Sequence, residues 1–475
     1  MSGVRSTSQR PAVSGEAASR HFADALRWQE RGEIDRADAI CAELLREQPS
    51  HADAWHLRGL LSFQKEQFER GIELIERSLA LNALQPAAHA NIGGVLLQLG
   101  RTSEALEHFD RALALEPDAT AETLYGRGAA MLALSRVTEA LTQFDRALAV
   151  APRLLPALIG RAQALQRLQR FEAALLTLEQ ALRLAPQAGE AHYHRGDVLF
   201  ELHRYEEALA GYDRALAAGL ESVELLNNRG NALRELARHG EALESYQRAL
   251  ALAPDRAETL TNRGNALLDL GRLGDALGCY EAALRAQPDF ATALDNQGLA
   301  LLMAERPAEA VRSYERLSQI APEFPLVASQ LLNARAMCCD FRHYDEDRSR
   351  LLSLVAQRKS VHPFPFMAVV GDADAQLECV RRFAADRWSS HSPAVWQGER
   401  YRHDRLRVAY ISADFREHAV AFLLAGALEQ HDRERFETIG IALRPEEHSL
   451  MGRRLQAAFT RFVSVDNMSS LRCFE

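Results

Sequence analysis

A 34-residue period runs through residues 17–322 and constrains the fold more than any other feature of the chain. Segments of like composition end at Pro49, Ala83, Pro117, Pro152, Pro186, Leu220, Pro254, Pro288 and Pro322; every step is 34 residues except one of 35 between Pro117 and Pro152, where a residue is inserted near Asp118–Thr123. Past these ends small residues recur in phase, at Gly59, Gly93, Gly128, Ala162, Gly196, Gly230, Gly264 and Gly298, and again at Gly71, Ala105, Ala140, Ala174, Ala208, Ala242, Ala276 and Ala310. Two helices cross closely only where side chains are small, and large residues spaced i, i+3, i+4 then fill the groove around the contact. A proline after the second helix stops it. A chain with this pattern cannot close each pair into its own globule, so it stacks the pairs as a solenoid.

The period and its small-residue positions resemble the tetratricopeptide (TPR) repeat, in nine copies over residues 17–322. The resemblance implies a right-handed superhelix whose concave face holds an extended segment of another protein. Eight residues past the repeat ends, on the first helix of each pair, lie Leu57, Asn91, Gly126, Gly160, His194, Asn228, Asn262 and Asn296; the last three sit in NNRGNAL, TNRGNAL and DNQGLAL. An Asn side chain offers one acceptor oxygen and two donors, so it pairs with a peptide group whatever the peptide's sequence. Asn91, Asn228, Asn262 and Asn296 are therefore expected to hold client backbone. The competing reading is that these side chains bond within or between helices.

A net charge of −9 argues against a general nucleic-acid binder, which carries a basic face. Arg supplies all but two of the 56 basic residues, a bias of GC-rich coding that points to a bacterial source. The 6 cysteines are too sparse for a disulfide scaffold. The segment MSGVRSTSQRPAVSGEAASR has no apolar stretch of signal-peptide type, and no long apolar run predicts a membrane span, so the cytoplasm is the expected compartment. His192 and His194 are two apart on a helix and share no face, so with His203 they predict no zinc site. Cys338 and Cys339 are adjacent and are expected to pack rather than bridge.

After Pro322 the phase is lost. VASQLLNARAMCCDF, RSRLLSLVAQR and DADAQLECVRRFAADR read as helices, with Pro363 and Pro365 breaking the run, and Pro393 and WQGERYRHD mark a linker. LRVAYIS, FETIGIAL and RFVSVD then read as strands around helix-like HAVAFLLAGALEQH and SLMGRRLQAAF, which predicts a parallel, Rossmann-like α/β unit. No GxGxxG or Walker-type loop is present.

RLRVAYISADFREHAVAFLLAG, with FETIGIAL after it and CDFRHYDED through HPFPFM before it, resembles the start of the catalytic region and the helical bridge of TPR-containing protein O-GlcNAc transferases of bacterial type. The expected fold is thus mostly α: a TPR α-solenoid superhelix, a helical bridge, and part of the first Rossmann-like lobe of a GT-B glycosyltransferase. The expected divisions are a disordered stretch at 1–16, the array at 17–322, bridge and linker at 323–404, and the incomplete lobe at 405–475. The resemblance implies transfer of N-acetylglucosamine from UDP-GlcNAc to Ser or Thr of proteins in the TPR groove. UDP-GlcNAc is the donor substrate, and no cofactor or metal is implied. The histidine of the DFxxH block maps to His418, an active-site position in that family, and Asp414 is expected to shape the loop. Residues Leu406–Glu475 number 70, whereas two such lobes need roughly 100–200 residues each. The expectation is a chain cut short within the catalytic region and inactive alone. The alternative is a non-catalytic TPR scaffold joining protein partners.

Overall fold

The computed structural model describes residues 15–118, 120–387, 403–443 and 449–465. Of the stretch 1–16 expected to be disordered, residues 1–14 lie outside these, as do most of the linker WQGERYRHD and the segment NMSSLRCFE, while Gly15 and Glu16 begin a helix. The chain divides into two compact units, Met1–Leu220 and Glu221–Glu475. The first holds helices α1 (Gly15–Glu30), α2 (Ile34–Glu47), α3 (Ala52–Gln64), α4 (Phe68–Leu81), α5 (Pro86–Gln98), α6 (Thr102–Leu115), α7 (Ala121–Ala133), α8 (Val137–Val150), α9 (Leu155–Arg167), α10 (Phe171–Leu184), α11 (Gly189–Glu201) and α12 (Tyr205–Ala217). The second continues the pairs with α13 (Val223–Glu235), α14 (His239–Leu252), α15 (Ala257–Asp269), α16 (Leu273–Ala286), α17 (Ala291–Met303) and α18 (Pro307–Ile320), and then holds α19 (Val327–Met337), α20 (Tyr344–Ala356), α21 (Pro363–Val369) and α22 (Ala373–Arg387). Its last described part is β1 (Leu406–Ser412), α23 (Ala419–Glu429), β2 (Phe436–Ala442), α24 (Leu450–Ala458) and β3 (Arg461–Ser464). The fold is mostly helical with a small parallel sheet.

Each pair turns the same way. The residue joining its two helices is left-handed, at Gly32, Glu66, Gly100, Ser135, Gln169 and His203 in the first unit and Ala237, Gly271 and Glu305 in the second. Around it the chain makes paired bonds such as His203 N–H to Phe200 carbonyl and Arg204 N–H to Leu199 carbonyl, both 2.9 Å, which satisfy the last carbonyls of the first helix. Between pairs the second helix ends two residues before proline: the residues between, Glu116, Ala151, Ala185, Ala253 and Gln287, leave the helical region because the following proline ring excludes it.

The recurring glycine packs beneath a large side chain sixteen residues later. A Cβ on Gly128 would lie 2.8 Å from Phe144, on Gly196 2.6 Å from Tyr212, and on Gly264 and Gly298 2.5 Å from Tyr280 and Tyr314. Where the glycine gives way to Ala162, the residue above is the smaller Leu178. Tyr212, Tyr246, Tyr280, Tyr314 and Phe144 are among the largest fully buried side chains, so this crossing is the centre of each pair's core.

Helices α19–α22 share a core of Leu351, Val355, Val361, Phe366 and Cys379. Arg335, 9% exposed, ties α19 to its neighbours: one nitrogen donates to both Asp347 oxygens at 3.0 and 2.9 Å, the other to Glu315 at 2.9 Å. Two expectations are corrected here. Pro363 and Pro365 begin α21 instead of breaking a helix, because the first helical turn needs no N–H from them and His362 caps it. Cys339 is exposed and left-handed at a turn, not packed, and Cys338 is half-buried.

In the α/β part β1, β2 and β3 form one parallel sheet in that order, with Leu406 opposite Phe436, Ser412 opposite Ala442 and Ala442 opposite Ser464. A core of Phe415, Ala425, Leu428, Met451, Leu455 and Phe459 joins the sheet to α23 and α24.

Candidate functional site: a capped helix start after the first strand and an asparagine face

The block SADFREH forms the link between β1 and α23. Ser412 ends the strand, and its hydroxyl accepts the Asp414 N–H at 3.0 Å. Phe415 is buried against Phe459 and Phe462, ring centroids 5.3 and 6.1 Å away, and pins the loop to the sheet. His418 is the N-cap of α23: Nδ1 accepts the Val420 N–H at 3.3 Å. The Asp414 carboxylate lies 3.6 Å from the same nitrogen, beyond hydrogen-bond length. Nδ1 cannot both accept from Val420 and donate to Asp414. The capping bond leaves the neutral ring's proton on Nε2, facing away from the cap, an assignment made from the bonding pattern. The arrangement joins a hydrogen-bond donor to the positive end of a helix dipole at the carboxyl edge of a parallel strand, where α/β folds bind anionic ligands.

Asn228, Asn262 and Asn296 all lie half-buried on α13, α15 and α17, in one unit and one register. Their amides bridge successive first helices: Asn262 Nδ2 donates to Asn227 Oδ1 at 3.0 Å and Asn296 Nδ2 to Asn265 Oδ1 at 2.9 Å, while Asn228 Oδ1 lies 3.5 Å from Asn227 Nδ2. Asn91, in the other unit, pairs with His56 Nε2 at 3.0 Å. These are the bonds of the competing reading, and in Asn91, Asn262 and Asn296 they use one N–H and leave the amide its oxygen and second N–H.

Beside this face lie groups that the periodic reading missed. Asn231 and Asn265 accept the buried Tyr246 and Tyr280 hydroxyls at 2.7 and 2.8 Å, and Asp197 accepts that of Tyr212 at 2.9 Å. The signal was present as a polar residue fifteen positions before each tyrosine. Burial alone pushes the Asp295 carboxyl on α17 up to about 6, and its Oδ1 has no partner among the described residues. In the first unit His89 and His108 meet through their Nδ1 atoms at 3.1 Å; burial holds both below the usual histidine range, with His108 at about 4, so both are neutral near pH 7. His192, His194 and His203 bond to the Pro186 carbonyl, Gln163 and Tyr205 respectively, and no group of three metal-ligating residues occurs among the described residues. Nor, among them, is any helix long and apolar enough to cross a membrane.

Stacked helical hairpins followed by a parallel strand–helix unit define an α-solenoid protein with an α/β segment after its repeats. Tetratricopeptide-repeat models match residues 22–86, 84–153, 159–219, 221–289 and 261–323, and the model of glycosyl transferase family 41 matches residues 338–474. The chain is a tetratricopeptide-repeat protein, and its residues 338–474 match the family 41 model.

Among curated proteins it is similar to the probable UDP-N-acetylglucosamine–peptide N-acetylglucosaminyltransferase SEC of Arabidopsis thaliana, 28% identical over 145 residues, 26% of this chain and 15% of that protein. It is also similar to anaphase-promoting complex subunit 7 of Dictyostelium discoideum, 32% identical over 76 residues, 16% of this chain and 13% of that protein. The matches thus span far less than two thirds of either relative. Among solved structures, YrrB, described as a TPR protein with an unusual peptide-binding site, is 27% identical with a TM-score of 0.34, covering 41% of this chain and 97% of that one. The Cut9–Hcn1 assembly of the APC/C is 16% identical with a TM-score of 0.47, covering 69% and 78%.

Proposed function

We propose that this chain is of the protein O-GlcNAc transferase type: its repeats hold extended polypeptide, and its α/β segment contributes to transfer of N-acetylglucosamine from UDP-GlcNAc to Ser or Thr. The observation that carries the proposal is the family 41 match over 338–474, which includes the β1–α23 link with His418 as the cap. As the sugar–phosphate bond breaks, negative charge grows on the phosphate oxygens. His418 Nε2–H and the first N–H groups of α23 are donors suited to that charge. With Nδ1 held by Val420, His418 serves the leaving phosphate as a donor and does not deprotonate the acceptor hydroxyl. Asn262 and Asn296 hold client backbone through the oxygen and N–H their bridging bonds leave, Asn228 presents its amide to the client in the same row, and Asn91 holds it in the other unit.

A second reading, a scaffold that joins proteins without transferring sugar, is favoured by the surface next to His418. On α23 Phe422 is 61% and Leu423 82% exposed, so the described residues do not wall that helix end from water. Calorimetry with UDP and transfer from UDP-GlcNAc to a Ser/Thr peptide separate the two. Heat with UDP, and transfer that falls by roughly 100-fold in His418→Asn, a variant that keeps the cap, supports the transferase. Peptide binding without heat from UDP or UDP-GlcNAc leaves the scaffold.

A further inference from the structure

The asparagine position is occupied by glycine twice, at Gly126 and Gly160, and there the first helices of the Met1–Leu220 unit leave room instead of a polar ladder. A cavity of about 570 Å³ opens across α3, α5 and α7, and one of about 250 Å³ across α7 and α9. Tyr125 lines both. Gly126 rests on the Phe109 ring, and a Cβ on Gly160 would lie 2.7 Å from Phe144, so aromatic rings form the floors. The larger cavity is of ligand-site size, and apart from Asn91 its inner wall is mostly apolar, with Leu60, Phe63, Val95 and Tyr125.

Two further observations say what fits. Gly94, inside α5, lines the larger cavity with open space where a Cβ would go. A glycine there weakens the helix and no packing within the unit demands it, but it lets another chain approach the backbone. At the rim Glu116 and Glu122 are exposed, neither has a partner among the described residues, and no Arg or Lys lines the cavity.

We propose that this cavity receives a large aromatic side chain of a bound polypeptide, with Glu116 and Glu122 meeting an Arg or Lys beside it. The proposal rests on the reading that the repeats hold extended polypeptide, and it adds a sequence preference which an asparagine ladder alone does not supply. Aromatic side chains carry the largest apolar contact area, and the Tyr125 and Phe109 rings offer edge and face contacts to one more. The rim charges select sign and raise the association rate.

The test is fluorescence anisotropy on the whole chain with labelled peptides in a Gly/Ser-rich frame centred on Arg-Trp, Arg-Ala or Glu-Trp. The Arg-Trp peptide is expected to bind roughly tenfold tighter than either counterpart. Gly94→Leu, whose Cβ meets open space, puts a side chain into the cavity and is expected to bring Arg-Trp down to the Arg-Ala level while the thermal midpoint holds or rises, since leucine is the better helix former. Glu116→Gln with Glu122→Gln is expected to abolish the preference for Arg over Glu and keep that for Trp over Ala. Equal binding of Arg-Trp and Arg-Ala, or wild-type binding of Arg-Trp by Gly94→Leu, overturns the subsite while leaving the polypeptide-holding reading intact. Failure of every peptide to bind overturns both.

Discussion

At the scale of single residues, one contact repeats with one exception. The Tyr246 hydroxyl, fully buried, donates to Asn231 at 2.7 Å, whereas that of Tyr314, equally buried in the corresponding position, has no partner among the described residues. Tyr246→Phe removes a made bond and strands an acceptor, so it is expected to cost about 1 kcal/mol. Tyr314→Phe removes a buried group without a bond and is expected to be neutral or stabilising. Urea unfolding of the two variants side by side checks the contrast, and equal losses would contradict it. The Asp295 carboxyl raises a pH effect of definite sign. Moving from its ordinary 3.8 to about 6 means that the folded state holds the proton more tightly than the unfolded one. Stability therefore falls as pH rises from about 4 to 6, by up to roughly 3 kcal/mol, and the deficit is complete above that window. Asp295→Asn is expected to raise the melting temperature at pH 7.5 and give no gain at pH 4; a scan of Tm against pH checks it. The sequence made the recurring small-residue positions legible because close packing tolerates few residue types there, whereas the tyrosines that cover such glycines emerged only from the packing. It did not reveal which amide an asparagine grips, since period places a side chain on a face while its partner depends on rotamers set by neighbours.

At the scale of elements, Arg335 decides how α19 is fastened to α18 and α20. Its two arms reach Glu315 and Asp347 with the arginine nearly buried. Removing the arginine leaves the nearly buried Asp347 carboxylate without compensation, while Glu315, 42% exposed, stays hydrated, so the cost is about 3 kcal/mol, the low end for a broken buried pair. Arg335→Ala is accordingly expected to lower the hydrogen-exchange protection of α20 strongly, whereas Arg342→Ala, whose pairing with Asp340 lies on an exposed side chain, changes it little. The helices and strands themselves were legible to within a few residues, because the switch from a helical to an alternating apolar pattern is local information. The start of α21 at two prolines was not: proline reads as a breaker until the position within the first turn is known, and that position is fixed by the His362 cap and by Phe366 entering the α19–α22 core.

At the scale of the molecule, every substantial packing contact inside each unit joins elements one or two places apart in the chain. Stability in such an array is a sum of each pair's own term and its nearest-neighbour terms, so a defect should spread only as far as those interfaces couple. Gly59 supplies a clean defect. A Cβ there would meet the Ile75 side chain and lie 2.8 Å from the Gly71 backbone oxygen, and a backbone atom cannot rotate away. Gly59→Ala is therefore expected to cost about 1–3 kcal/mol by overpacking. Hydrogen exchange should show that loss in α3 and α4 and more weakly in α2 and α5, while α9–α12, in the same unit, keep wild-type protection. In a globule with a single shared core the same substitution would lower the protection of all the slowest amides together. Uniform loss across α1–α12 would mean that the unit unfolds as one cooperative block, and that bound polypeptide meets a rigid body rather than a row of separately adjustable pairs.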